Sequence, residues 1–133
     1  MERPKIIASA LIEKDGKFLL VKEILEDSKE YWIIPGGKVE FGETLAEALK
    51  REIKEEIDVD IEVLKFIDFK ESIHRETNYH TVIFFFLARL MNENLVLDEK
   101  IVDAKFFTLE QAKNLNLVDT ARWILENYAK LKT

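Results

Sequence analysis

Gly37-Lys38-Val39-Glu40-Phe41-Gly42-Glu43-Thr44-Leu45-Ala46-Glu47-Ala48-Leu49-Lys50-Arg51-Glu52-Ile53-Lys54-Glu55-Glu56-Ile57-Asp58-Val59 decides the fold of this chain. A glycine-led turn runs into a helix. Thr44 followed by Glu47 fits a capping box, in which each side chain satisfies a backbone N–H at the helix start. No Gly or Pro interrupts Leu45 to Ile57. Leu45, Ala46, Leu49, Ile53 and Ile57 form one apolar stripe at helical spacing.

The acids of this helix do not all fall on its wet side. At about 100° per residue, with Glu52 at zero, Leu45 lies near 20°, Leu49 near 60° and Ile53 near 100°. Glu56 then lies at about 40°, inside the apolar stripe, and Glu55 at about −60°, beside Arg51. Glu52 and Glu56 are four residues apart, a spacing at which like charges repel. A solvated Glu/Lys helix accounts for Glu47, Lys50 and Lys54, and pairing with Arg51 accounts for Glu55. Neither accounts for Glu56. A carboxylate in an apolar stripe raises its pKa or takes a cation, and carboxylate oxygens suit Mg²⁺ and Mn²⁺. Upstream, Pro35-Gly36-Gly37 follows the apolar run Trp32-Ile33-Ile34. Paired glycines let backbone approach a ligand closely, although an ordinary strand-to-loop turn would use them too.

In its spacing the stretch resembles the Nudix box, Gly-x5-Glu-x7-Arg-Glu-U-x-Glu-Glu-x-Gly-U with U aliphatic. Gly37, Glu43, Arg51, Glu52, Ile53, Glu55, Glu56 and Val59 fill its positions, and Asp58 stands where the family has Gly. That position ends the helix, where a left-handed residue is preferred, and Asp tolerates that conformation better than most residues do. The expected effect of Asp58 is therefore on stability or loop shape and not on chemistry.

Composition sets the outer limits. At 133 residues, 47% of them hydrophobic, the chain reads as one domain, 1–133, with a proper core. No cysteine is present, so disulfides and thiolate zinc sites are excluded. The net charge of −6 and the lack of a basic stripe argue against polymeric nucleic acid as a partner. Met1-Glu-Arg-Pro-Lys lacks the apolar core of a signal peptide, and Val82 to Ala88 is too short to span a bilayer. A cytoplasmic protein without a membrane partner, monomeric or homodimeric, is the expectation.

Along the chain, Lys5–Glu13 and Phe18–Lys22 read as strands joined by a tight Asp15-Gly16 turn. Tyr31–Ile34 precedes the glycine turn. Ile61–Glu71 and Thr81–Arg89 read as a strand pair around His74–Tyr79. An acidic loop, Met91–Val102, leads to a short strand at Lys105–Thr108. Thr108 and Gln111 make a second capping box, and Leu117–Leu131 an amphipathic helix. Phe84, Phe85 and Phe86 are expected in the core on alternating faces. The order β–β–β–α–β–β–β–α implies a mixed sheet covered by helices on both faces. The resemblance implies the same α/β fold, an α/β/α sandwich.

The resemblance further implies hydrolysis of a phosphoanhydride in a nucleoside diphosphate linked to another group. Glu52, Glu55 and Glu56 become metal ligands with the Gly37 carbonyl, the cation being Mg²⁺ or Mn²⁺. Arg51 and Glu43 orient them. The general base is Glu52 or an acid of the distant loop, Glu99 first, then Asp98 and Asp103. Trp32, His74 and Tyr79 are candidates for contact with a small nucleotide substrate, while His80 reads as a packed or edge residue. The lean is toward a nucleoside triphosphate pyrophosphohydrolase, with ADP-ribose or dinucleoside polyphosphates as alternatives. A non-catalytic nucleotide sensor is the contrasting class, opposed by the presence of every box acid.

Overall fold

A computed structural model describes residues 3–132; Met1, Glu2 and Thr133 lie outside it. Strand β1 (Lys5–Lys14) turns into β2 (Lys17–Ile24) through Asp15 and Gly16, both at positive φ, as a tight hairpin requires. Strands β3 (Glu30–Ile33) and β4 (Gly36–Lys38) follow, then helix α1 (Leu45–Ile57). β5 (Ile61–His74) and β6 (Tyr79–Leu90) make a long hairpin, closed by a 3-10 turn at Arg75–Thr77. β7 (Ile101–Phe107), a short α2 (Leu109–Ala112) and α3 (Asp119–Lys132) complete the order.

The first hairpin splits, and the split makes room for the site. β1 and β2 pair only at Glu13–Phe18 and Lys14–Lys17. Past that point β1 pairs antiparallel with β4 and, along its other edge, parallel with β6, from Lys5–Thr81 to Ile12–Ala88. β2 instead pairs with β3 and β7. The segment between β3 and β4 crosses the opening, where the Ala10 N–H donates to the Pro35 carbonyl at 2.9 Å. β5 forms the far edge, antiparallel to β6.

Strand alternation then builds two cores. Leu19 and Val21 of β2 join Ala8, Ala10 and Ile12 of β1 against Leu49, Ile53 and Ile57 of α1. Phe18 and Leu20 point the other way and join Leu11, Trp32 and Phe85 against Ile124, Leu125 and Tyr128 of α3. Each fully buried Leu, Ile, Val or Phe among them contributes about 1.5–3 kcal/mol. The mixed sheet between two helical layers matches the expected architecture.

Several boundaries differ from the sequence reading. Gly36–Lys38 is a strand as well as a turn, because Gly36 and Gly37 dock on Ser9 and Ala8. β5 and β6 extend three and two residues into the expected loop, leaving only the short turn closed by Asn78 at φ 55°. β7 begins at Ile101 instead of Lys105, since Ile101 is buried and pairs with Glu23. α3 begins at Asp119 because the preceding backbone is engaged with Trp32: its N–H donates to the Asn116 carbonyl at 2.8 Å. The phenylalanine run alternates as expected. Phe85 lies in the α3 core, Phe86 packs on the α1 core, and Phe84 lies against Phe66 and Phe69. Among the described residues no helix is long and apolar enough to cross a membrane.

Candidate active site

Two capping interactions and one left-handed residue fix the ends of α1. The Glu47 N–H donates to Thr44 Oγ1 at 3.1 Å, and the Thr44 N–H to Glu47 Oε1 at 2.8 Å. At the other end Asp58 adopts φ 57°, ψ 42°, and its N–H donates to the Lys54 carbonyl at 3.0 Å. Asp58 therefore takes the left-handed role usually given to Gly, and the helix keeps its register.

The glycine pair is required by space. Gly36 has φ 154°, and a Cβ there would sit 2.1 Å from the Ala8 carbonyl oxygen. A Cβ on Gly37 would lie 2.2 Å from the Glu52 carboxyl carbon. With neither Cβ present, β4 lies flat on β1 and the Glu52 carboxylate rests against the Gly37 backbone.

Arg51 organises the acids on the wetter side. Its Nε and Nη2 donate to the two Glu43 oxygens at 2.7 and 2.9 Å, a bidentate fork. Nη1 donates to Glu52 at 3.0 Å and reaches Glu55 at 3.4 Å, while Nη2 also holds the Lys38 carbonyl at 3.0 Å. This pairing holds Glu43 down at about 2. The same carboxylates raise the pKa of Arg51 above its ordinary value.

Glu56 has no such cation. Its Oε1 accepts from the Gly36 N–H at 3.2 Å. Burial, then the charges of Glu23, Glu52 and Glu55, push its pKa up to about 8. Glu52 is raised too, by burial first, with Arg51 opposing.

Glu23 is a member of this group that the motif does not disclose. Leu19, Val21 and Glu23 alternate onto the face that meets α1, so β2 delivers a carboxylate to the end of an apolar row. Burial raises its pKa, with Lys100 opposing. The detectable signal was this alternation: a Glu in the position where the strand pattern asks for an apolar residue.

A cleft of about 650 Å³ opens between the β2–β3 loop, the β5–β6 turn and the start of α3, and none of the box carboxylates lines it. Tyr31, directly across from Glu23 on β3, forms part of its wall, with His74, Tyr79, Asp119 and Thr120 around it. The His74 and Tyr79 rings lie 5.6 Å apart. Trp32 lies elsewhere: it is 7% exposed, edge-on to Phe107 at 4.8 Å, with Lys22 Nζ 5.1 Å from its ring centre. Its alternation places it in the α3 core, one step off the wall formed by Tyr31. Glu99 is exposed on the acidic loop, which is tied to α1 where the Asp98 N–H donates to the Glu56 carbonyl at 2.8 Å. Asp103 instead accepts from the Ala104 N–H at 2.8 Å and pairs with Lys105 at 3.6 Å. His80 packs beside Glu71 at 3.8 Å, outside the cleft.

The donor set suits a hard divalent cation. It is all oxygen, and it includes one carboxylate whose pKa burial first, and then the charges of Glu23 and Glu52, push up to about 8. Among the described residues no three acidic or histidine side chains stand in finished metal-binding geometry. Arg51 draws Glu52 and Glu55 toward itself.

Comparison with known proteins agrees with this geometry. The sequence profile of the family described as NUDIX domain matches residues 1–128. A protein of Methanocaldococcus jannaschii named ADP-ribose pyrophosphatase is 33% identical over 84% of this chain, which spans 66% of that relative's length. A protein of an Enterobacter species named nucleoside triphosphatase NudI is 28% identical over 90% of this chain and 93% of its own. Among solved structures, a MutT NUDIX hydrolase of Burkholderia pseudomallei superposes with a TM-score of 0.86 at 28% identity, over 94% of this chain and 98% of that one.

Proposed function

This chain belongs to the NUDIX domain family, and from that premise we propose that it hydrolyses a phosphoanhydride bond in a small nucleotide with the help of Mg²⁺. The observation that carries the proposal is Glu56, a carboxylate buried among Glu23, Glu52 and Glu55 with one backbone N–H and no cation. A purely structural domain gains nothing from that arrangement, since an apolar residue there would be more stable.

Glu52, Glu55, Glu56 and the Gly37 carbonyl would hold the cation, with Mn²⁺ an acceptable substitute. When bound, it neutralises phosphate charge and acidifies a coordinated water. The chain supplies the rest. Arg51 fixes Glu52 and Glu43 as one rigid unit, and the Gly36 N–H orients Glu56. Glu52, lying against the glycine turn, is the proposed general base, and Glu99, exposed on the acidic loop, is the alternative. The cleft wall of Tyr31, His74 and Tyr79 offers aromatic surface for a base, and its volume fits a nucleotide.

Nucleoside triphosphates are the proposed substrates, supported by a relative of that name that matches almost end to end. ADP-ribose is the second reading, supported by the more identical relative from Methanocaldococcus jannaschii. The test is a panel of nucleoside triphosphates, ADP-ribose, diadenosine polyphosphates and NADH with Mg²⁺, products identified by chromatography. Preferred cleavage of one triphosphate to monophosphate and pyrophosphate supports the first reading. AMP and ribose 5-phosphate from ADP-ribose supports the second. No metal-dependent cleavage of any compound refutes both and favours a binding module. Comparing Glu52→Gln with Glu99→Gln tests the base: the first should lose far more kcat.

A further inference from the structure

We propose that a hollow at the tip of the β5–β6 hairpin is a second ligand site, one that binds the phosphate group of a small molecule. It needs no metal and stands apart from the hydrolytic reading.

Two strands and a turn build the hollow. Lys5 pairs in parallel with Thr81, so Arg3 and Pro4 run on beside the start of β6. Ile73 pairs with His80 and His74 with Tyr79, and Arg75 opens the turn between them. Asn78, left-handed at φ 55°, closes that turn, its N–H donating to the Arg75 carbonyl at 3.2 Å. Arg3, Arg75 and His80 thereby line one hollow of about 340 Å³, and Pro4, Ile73 and Tyr79 give it apolar walls. Tyr79 also lines the larger cleft, so the two share one ring.

The arginines set this hollow apart. The chain has five. Arg51 is bound by Glu43 and Glu52, Arg89 is paired with Glu62, and Arg122 donates to the Lys113 and Leu115 carbonyls at 3.3 and 3.2 Å. The guanidinium groups of Arg3 and Arg75 have no acceptor among the described residues, and both line the same hollow. No acidic side chain lines it, although the chain carries a net charge of −6. His80 adds a buried Nε2 with no hydrogen-bond partner; the Glu71 carboxylate, 3.8 Å away, is beyond bonding distance.

An anion is what such a hollow lacks, and phosphate fits it best. Guanidinium groups on two separate segments can each take different oxygens of one phosphate, whereas a carboxylate has only two oxygens to share. The volume is at the small end for ligand sites and suits a phosphate with a short carbon skeleton, for which Pro4, Ile73 and Tyr79 offer apolar surface. Two arginines on a chain of net charge −6 make no track for polymeric nucleic acid. Two sources carry the phosphate group. One is inorganic phosphate or a small phosphomonoester. The other is the far phosphate of a nucleotide whose body lies in the cleft across Tyr79.

The test is a ¹H–¹⁵N NMR titration in EDTA at constant ionic strength, with sodium phosphate, ribose 5-phosphate and ATP as probes. At least one probe should saturate, with half-effect near ~1 mM, moving the Arg75 and Asn78 amides and the His80 ring. Arg3→Gln and Arg75→Gln, both at exposed positions, should each weaken this binding tenfold or more. Arg89→Gln, at an arginine already paired, should leave it unchanged. Phosphate or ribose 5-phosphate that saturates and is not displaced by ATP identifies a separate small ligand. ATP that displaces them, or that alone saturates with the same dependence on Arg3 and Arg75, identifies the phosphate end of a nucleotide. Failure of all three probes to saturate, binding indifferent to Arg3→Gln and Arg75→Gln, or an equal loss in Arg89→Gln would each overturn the proposal.

Discussion

Glu56→Gln should make the metal-free protein more stable while removing its activity. In the native chain the Glu56 carboxyl is raised from 4.5 to about 8, burial being the first cause. In the unfolded chain it ionises near its ordinary value. Between those two values the native state holds a proton that the unfolded state has lost, so stability falls as pH rises. Each unit corresponds to about 1.4 kcal/mol, so the full span gives an upper limit of about 5 kcal/mol by pH 8. Water reaching the carboxylate reduces this to about 2–3 kcal/mol. Gln keeps the shape and the Gly36 hydrogen bond, and it has no proton to lose. The assay is thermal melting in EDTA from pH 5 to 9. The wild-type Tm should fall across this range, and the variant Tm should fall less, ending ~10 °C higher at pH 8. Added Mg²⁺ should raise the wild-type Tm at pH 8 and leave the variant nearly unchanged, because only the carboxylate gains from the cation. A variant less stable than wild type at pH 8, or one with the same pH slope, would refute the view that Glu56 is a buried acid waiting for a cation.

Other perturbations separate the parts of the site. Arg51→Ala should release Glu43, Glu52 and Glu55 together, lowering kcat by about 10²-fold or more, and Glu43 should titrate well above its present value of about 2 by carboxyl NMR. Gly36→Ala puts a Cβ 2.1 Å from the Ala8 carbonyl and should destabilise the domain by roughly 3 kcal/mol or more in urea. Gly37→Ala should instead displace the Glu52 carboxylate, losing metal affinity by calorimetry with a smaller change in stability. Asp58→Gly should stabilise the domain by about 0.5–1 kcal/mol and Asp58→Ala should destabilise it by about 1, both read by urea denaturation, with kcat unchanged in each.

The legible part of the fold was the part written in local chemistry. Both capping boxes, the Asp15-Gly16 hairpin and the helix end at Asp58 form as their side chains dictate. What stayed hidden depends on neighbours distant in sequence. Gly36–Lys38 has no strand pattern, and becomes a strand only because β1 offers an edge that glycine can approach. Ile101–Phe107 starts early because Glu23 and its neighbours extend the ladder. Within the site, the angular position of Glu56 was readable from its own helix, and so was the Arg51 pairing. Glu23 left only its place in the strand alternation as a signal, because its meaning lies in which helix β2 faces. Trp32 looked like a ligand platform from composition, yet strand alternation turns it into the α3 core and leaves Tyr31 at the cleft.

The parallel pairing of β1 with β6 carries a consequence for the order of assembly. Lys5 finds its partner at Thr81, and Ile12 at Ala88, so β1 is complete well before the strand it pairs with has been made. Gly37 docks on Ala8, which is itself the partner of Phe84. A nascent chain that ends before residue 80 therefore holds the complete box motif and cannot yet present it in working geometry. Such non-local contacts slow folding and lengthen the time that the apolar first strand is exposed. The carboxylate site is then a late product of synthesis, and capture of a cation by a growing chain should report that the whole sheet has closed.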